Sequence, residues 1–148
     1  MLIQTLRPLF ARDIAKLKNE IELYKDEKNI WVIDGTIANS AGNLCLHLVG
    51  NLNTYIGAEL GKTGYIRHRD LEFSLKDIPR AELLAKVDET AMVVDVALAC
   101  VTEEQLNQEY PMEVLAGKIT TGYFLVHLAM HLSYHLGQIN YHRRLLDK

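Results

Sequence analysis

The stretch HLAMHLSYHLGQINYH, residues 127–142, holds four of the chain's six histidines. His127, His131 and His135 recur at every fourth position, the spacing that sets side chains one turn above another on an α-helix. Residues so spaced lie roughly 6 Å apart along the axis and ~40° apart around it. His131 and His135 can therefore aim two imidazole nitrogens at one point beside the helix, as the H-E-x-x-H zinc helices do, here without the intervening glutamate. Two ligands are too few, because a catalytic zinc takes about three protein ligands and keeps one position open. His127 is turned by ~80° from His135 and so reads as a residue supporting the site, facing a substrate, or simply packed in the core.

Working outward, the helix that carries this ladder starts near Thr120 or Thr121 and runs to the end of the sequence. Three more helices are expected before it. From Leu2 to about Lys25, Leu6, Leu9, Phe10, Ile14, Leu17 and Ile21 fall at helical spacing between lysines and glutamates. Pro8 requires the first turn or a bend. Ser40 is a natural N-cap for a second helix over Ala41–Leu60, with Leu44, Leu48, Leu52 and Ile56 on one face and Gly61 and Gly64 closing it. The third, Ala81 to Cys100, should be capped near Asp77–Pro79 and buried deeply along AMVVDVALAC, a segment whose β-branched residues also admit a strand. Thr102–Gln105, TEEQ, matches a capping box. The joining segments, Gly61–Ile78 and Val101–Ile119, are longer than bundle connections usually are, which suggests a crossover or a functional role. The expectation is one all-α domain over residues 1–148, a four-helix bundle.

A third metal ligand is sought on the second helix, where Asn43, His47, Asn51 and Thr54 form a polar stripe beside the leucines. Pointed inward, these groups need partners, and a metal ion would supply one. Histidines from two facing helices are how bundle cores build metal sites. Asp95 lies inside an apolar segment and reads either as a partner orienting a ligand histidine or as an exposed acid. Gly137 costs about 0.8–1 kcal/mol in a helix interior relative to alanine, for which close helix approach is the natural reason, and Gln138 then lies near the site. His142 is assigned to the helix macrodipole, His68 and the RHRD cluster at 67–70 to solvent, and Cys100 to packing.

Composition narrows the remaining choices. A net charge of −3 argues against nucleic acid as a partner. Two cysteines, Cys45 and Cys100, suit free thiols in a cytoplasmic protein better than a disulfide framework. No signal peptide is read at the N-terminus, and the longest apolar run, residues 91–101, is interrupted by Asp95 and too short for a bilayer of ~30 Å. No phosphate-binding glycine loop and no serine- or cysteine-nucleophile motif is present.

The motif H-x-x-x-H-x-G-Q on the last long helix, with His47 at the middle of the second, resembles the DinB/YfiT-like superfamily of metal-dependent proteins over essentially the whole chain. The resemblance implies an up-down-down-up four-helix bundle, commonly a homodimer, with a divalent ion, zinc or nickel, on His47, His131 and His135. Some relatives are thiol S-transferases that use low-molecular-weight thiols, and others resemble hydrolases or isomerases. Leu136 stands where arginine is commoner before the glycine, and His127 is additional. A metal-dependent transferase or hydrolase acting on a small molecule is the first expectation, since such an ion brings the pKa of a bound water to about 7 and deprotonates a bound thiol. The alternative is a dimeric stress protein that binds metal or ligand without catalysis.

Overall fold

The computed structural model describes residues 1–148, all of them helical or in turns and loops, without a β-strand. Six α-helices are formed: α1 (Leu2–Leu23), α2 (Ala41–Leu52), α3 (Arg69–Ser74), α4 (Arg80–Ala99), α5 (Glu103–Asn107) and α6 (Thr121–Leu146). A 3₁₀ turn, Glu27–Trp31, follows α1, and a π-helical segment, Asn53–Ala58, continues α2. α1 and α2 each pack on both α4 and α6, so the four longest helices close around one core.

Each helix buries the face its apolar spacing dictates. Phe10, Ile14, Leu17 and Ile21 of α1 meet Leu48 and Leu52 of α2, Leu83 and Leu98 of α4, and Leu125 and Leu132 of α6 in a single apolar cluster. α2 is buried on every side, which explains why its polar residues need partners inside the protein. Ser40 caps it, accepting from the Asn43 N–H at 3.2 Å, and Thr102 and Gln105 form the expected capping box on α5.

Polar ties lock the helices in register. Glu20 of α1 accepts from Asn140 and Arg143 of α6, both at 2.7 Å. His142 is buried between the Tyr24 hydroxyl (2.7 Å) and the Val32 carbonyl (2.8 Å), so it is a crossbrace and not a macrodipole partner. Its Nε2–H donates to the carbonyl, which leaves Nδ1 to accept from tyrosine. Asp147 accepts from the backbone N–H groups of Lys25 (2.6 Å) and Asp26 (3.1 Å) and from the Asn29 amide (2.9 Å). It thereby ties the end of α6 to the turn after α1.

Several local expectations are corrected. The joining segment Gly61–Ile78 contains a helix at residues 69–74. Asp77 takes a left-handed conformation (φ 57°) and Pro79 is the N-cap of α4. The AMVVDVALAC segment is helical but lies near the surface, because only Val94, Ala97 and Leu98 are fully buried, with Ala91 packed against the core; Met92 and Val96 are largely exposed and Cys100 is exposed too. Gly137 has no atom within 4 Å of where its Cβ would stand, so no helix of this chain approaches it. Close approaches occur instead at Gly42, against the Trp31 ring, at Gly50, against Glu72, and at Gly57 and Gly61, against Val93 and Ala97 of α4.

Burial alone would raise the Asp147 pKa, but the Asn29 amide and the two backbone donors prevail and hold it below 3.8. Its stabilisation is therefore complete above that pH and lost as pH falls through the lowered value. Asp147→Asn should cost about 1–2 kcal/mol at pH 7, and the gap from wild type should close in acid. Chemical denaturation at pH 7 and near pH 3 checks both parts.

Candidate metal centre

His47 enters from the middle of α2 and His131 and His135 from α6, on the seam where these helices pack. The Nε2 atoms of His47 and His131 are 3.2 Å apart, and those of His131 and His135 are 3.1 Å apart. All three residues offer ligand nitrogens within 4.8 Å of one another.

The outer nitrogens decide what these inner ones are. Nδ1 of His47 lies 3.0 Å from a Glu72 carboxylate oxygen, and Nδ1 of His135 lies 2.7 Å from the Gln138 amide oxygen. Both of these oxygens accept, so each Nδ1 is the donor, and in the neutral rings this leaves the Nε2 lone pairs free. His131, half-buried beside them, has an inaccessible Nδ1 without a partner. Bare nitrogens cannot satisfy one another, whereas a cation at their centre would satisfy all three. Two nitrogens on a tetrahedral zinc, each about 2.0–2.1 Å from it, lie about 3.4 Å apart, close to the spacing found. The three histidines fit a divalent ion.

The electrostatics agree with a cation-ready site. Burial foremost, then neighbouring His135 and His47, pushes the His131 pKa down to about 4, so its ring is neutral at physiological pH. Burial and His47 likewise lower His135, although its bond to Gln138 acts the other way. Glu72 is held ionised: burial opposes this, but hydrogen bonds from His47 and Arg67 outweigh it and bring the carboxyl below its ordinary range. Arg67 grips that carboxylate with two bonds, Nε at 2.8 Å and Nη2 at 2.9 Å.

Of the other sequence candidates, Asn51 and His127 line a cavity of about 190 Å³ that touches His47 and His131. Gln138 sits behind His135. Asp95 is nowhere near this cluster: it is exposed on α4 and pairs with Arg7 at 3.0 Å. The stripe on α2 divides its work. Asn43 donates to the Glu72 and Leu75 carbonyls, 2.9 Å each, and so fastens α3 to α2, while Asn51 Oδ1 and Thr54 Oγ1 are buried without partners.

A family model described as "Protein of unknown function (DUF1572)" matches residues 3–148. The chain belongs to the DUF1572 family. No curated protein matches it. In this DUF1572 protein, Glu72 and Arg67 are the residues that sequence reading missed. Arg67, assigned to solvent with its RHRD cluster, keeps a side chain only 13% exposed. Neither residue carried a periodic signal, because α3 is too short to show one; an acid between Leu71 and Phe73 was the one hint. His68 is exposed, as its surroundings suggested.

A Cβ on Gly50 would overlap the Glu72 carboxylate. Gly50→Ala should displace that carboxylate from His47 and weaken divalent-metal affinity roughly 10–100-fold with the helical content retained. Chelator competition and far-ultraviolet circular dichroism would measure the two.

Proposed function

We propose that this DUF1572 protein is a metal-dependent enzyme of the DinB/YfiT-like kind, built on a four-helix bundle, that activates a water or a thiol at a divalent ion held by His47, His131 and His135. The observation that carries the proposal is the convergence of three Nε2 atoms from two helices, with Glu72 and Gln138 accepting at Nδ1 of two of the rings and so turning their Nε2 atoms inward as ligands. Three protein ligands, and not four, favour catalysis over a purely structural ion. Asp95 is too far away to be a fourth, and His127 rests against Phe124 (ring centroids 5.8 Å apart).

When bound, such an ion supplies Lewis acidity, lowering the pKa of water or thiol. Zinc or nickel suits imidazole donors. The chain's own groups do the positioning. Glu72, fixed by Arg67, orients the His47 ring, and Gln138 orients His135. Phe124, Leu128, Val114 and Leu115 wall the adjoining cavity and limit its water. The chemistry fits a thiol S-transferase or a hydrolase, and the cavity is what distinguishes either from a protein that only stores or senses metal. No helix is long and apolar enough to cross a membrane. Two free cysteines support a cytoplasmic setting, and a net charge of −3 speaks against nucleic acid as partner.

The first test is metal analysis of the untagged full chain by inductively coupled plasma mass spectrometry. About one divalent ion per chain is expected, absent in His47→Ala and His131→Ala and retained in His68→Ala. Equal metal content in all variants, or none in any after reconstitution, would sink the proposal.

A homodimer is supported by the outer face of α6. From Thr121 to His142 the helix carries no charged residue. Tyr123, Met130, Tyr134, Tyr141 and Leu145 are each more than half exposed, and with Val126 they form one stripe roughly 100° wide. These six side chains present on the order of 700 Å², near the ~800 Å² per partner of a stable interface. Gly137, open on its own chain, lies in that stripe and would let a second α6 cross closely. Sedimentation should give a dimer, and Met130→Glu combined with Tyr134→Glu a folded monomer. A monomeric wild type would refute it.

A further inference from the structure

The cavity beside the histidines has its own chemistry. Its polar lining is His47, His131, His127, Asn51, Arg67 and Arg69, and no carboxylate lines it. The nearest acid, Glu72, is already taken by both arms of Arg67 and by His47. Arg69 forms none of the protein's salt bridges and lies over the Phe73 ring, 5.5 Å from its centre. Arg69 is exposed to solvent and brings an unpaired guanidinium to the edge of this concave site, whose walls are aromatic and aliphatic and hold no acid. Asn51 adds an independent sign: the residue is 7% exposed and its Oδ1 is buried without a partner. No bond fixes which end of that amide faces the cavity, so it is free to present its NH₂ donors. The His127 ring, stacked on Phe124, makes no hydrogen bond within the protein and supplies a further donor.

We propose that this cavity binds a small anion, the carboxylate or phosphate group of a low-molecular-weight ligand, through Arg69, Asn51 and His127. Arg69 provides the uncompensated charge. Arg67 serves chiefly to hold Glu72, so its contribution is positional. The two other amphipathic contributors set orientation: His127 stands four residues before His131, and Asn51 four after His47, so each places the anion one helical turn from a histidine of the cluster. A volume of about 190 Å³ admits a compact group with several waters and excludes a polymer backbone. The role of the anion as substrate rests on the metal-enzyme reading above. The pocket itself is built from protein groups and does not.

The test is ligand-observed NMR on the full chain with acetate, inorganic phosphate and, as the neutral isostere of acetate, acetamide. Acetate or phosphate should bind and acetamide should not, and whichever of the two binds tighter names the source. Arg69→Gln should weaken binding at least tenfold at unchanged metal content, while His68→Gln next to it should have no effect. Arg69-dependent binding in a chain that takes up no metal even after reconstitution would leave this proposal standing while the metal reading fails. Anion binding equal in wild type and Arg69→Gln at equal metal content would assign the anion to the ion alone and overturn the proposal, as would equal binding of acetate and acetamide.

Discussion

The 3.0 Å contact between the Glu72 carboxylate and Nδ1 of His47 is the interaction on which the rest of the site depends. By accepting the Nδ1 proton it leaves a lone pair on the opposite nitrogen and points it at α6. A carboxylate buried to this degree would ordinarily protonate, but two bonds from Arg67 keep it charged. The fold is arranged to hold that carboxylate in place. Asn43 fastens the backbone at Glu72 itself and at Leu75, just past the end of α3, and Gly50 clears the space the carboxylate oxygens occupy. Removing any one of these supports acts on the histidine, although none of them is a ligand.

The same logic explains why α2 is so unusual. A helix buried on every face carries its polar residues at a cost unless each is matched. Asn43 is matched by backbone carbonyls and the Nδ1 of His47 by Glu72, while its Nε2 faces only other histidine nitrogens. Asn51 and Thr54, further along, are not matched by the protein. Here the α-helix also gives way to the π-helical segment, where the wider ladder brings Tyr55 to the cavity rim. Unmet hydrogen-bonding capacity and irregular backbone thus coincide beside the histidines, where a ligand would meet both.

α6 is apolar on two sides for different reasons. Its inner face supplies Leu125, Leu128, Leu132 and Ile139 to the core, with the histidines along one margin. Its outer face is equally free of charge and has no partner within the chain. A helix of this length with a solvated outer face would normally carry lysines and glutamates, as α1 does.

Much of this was legible in residue order, because helices announce themselves by local periodicity. The ranges of α1, α4 and α6, the Ser40 and Thr102 caps and the His131–His135 pair all follow from spacing along one element. His47 was within reach for the same reason, as one member of a stripe on one helix. What crosses between elements was not. Whether Asp95 faces a histidine or Arg7, whether Gly137 or Gly50 is the tight spot, and which acid meets His47 depend on helix rotation and on loop paths that no periodicity encodes. The six-residue α3 is the clearest instance: too short to show a pattern, it is placed by Asn43 and Arg67, and it carries the carboxylate that sets the proton on His47. Local chemistry in the sequence determined the helices and two ligands on one face. Only packing decided their partners, since burial and hydrogen-bond geometry belong to pairs of residues distant in the chain.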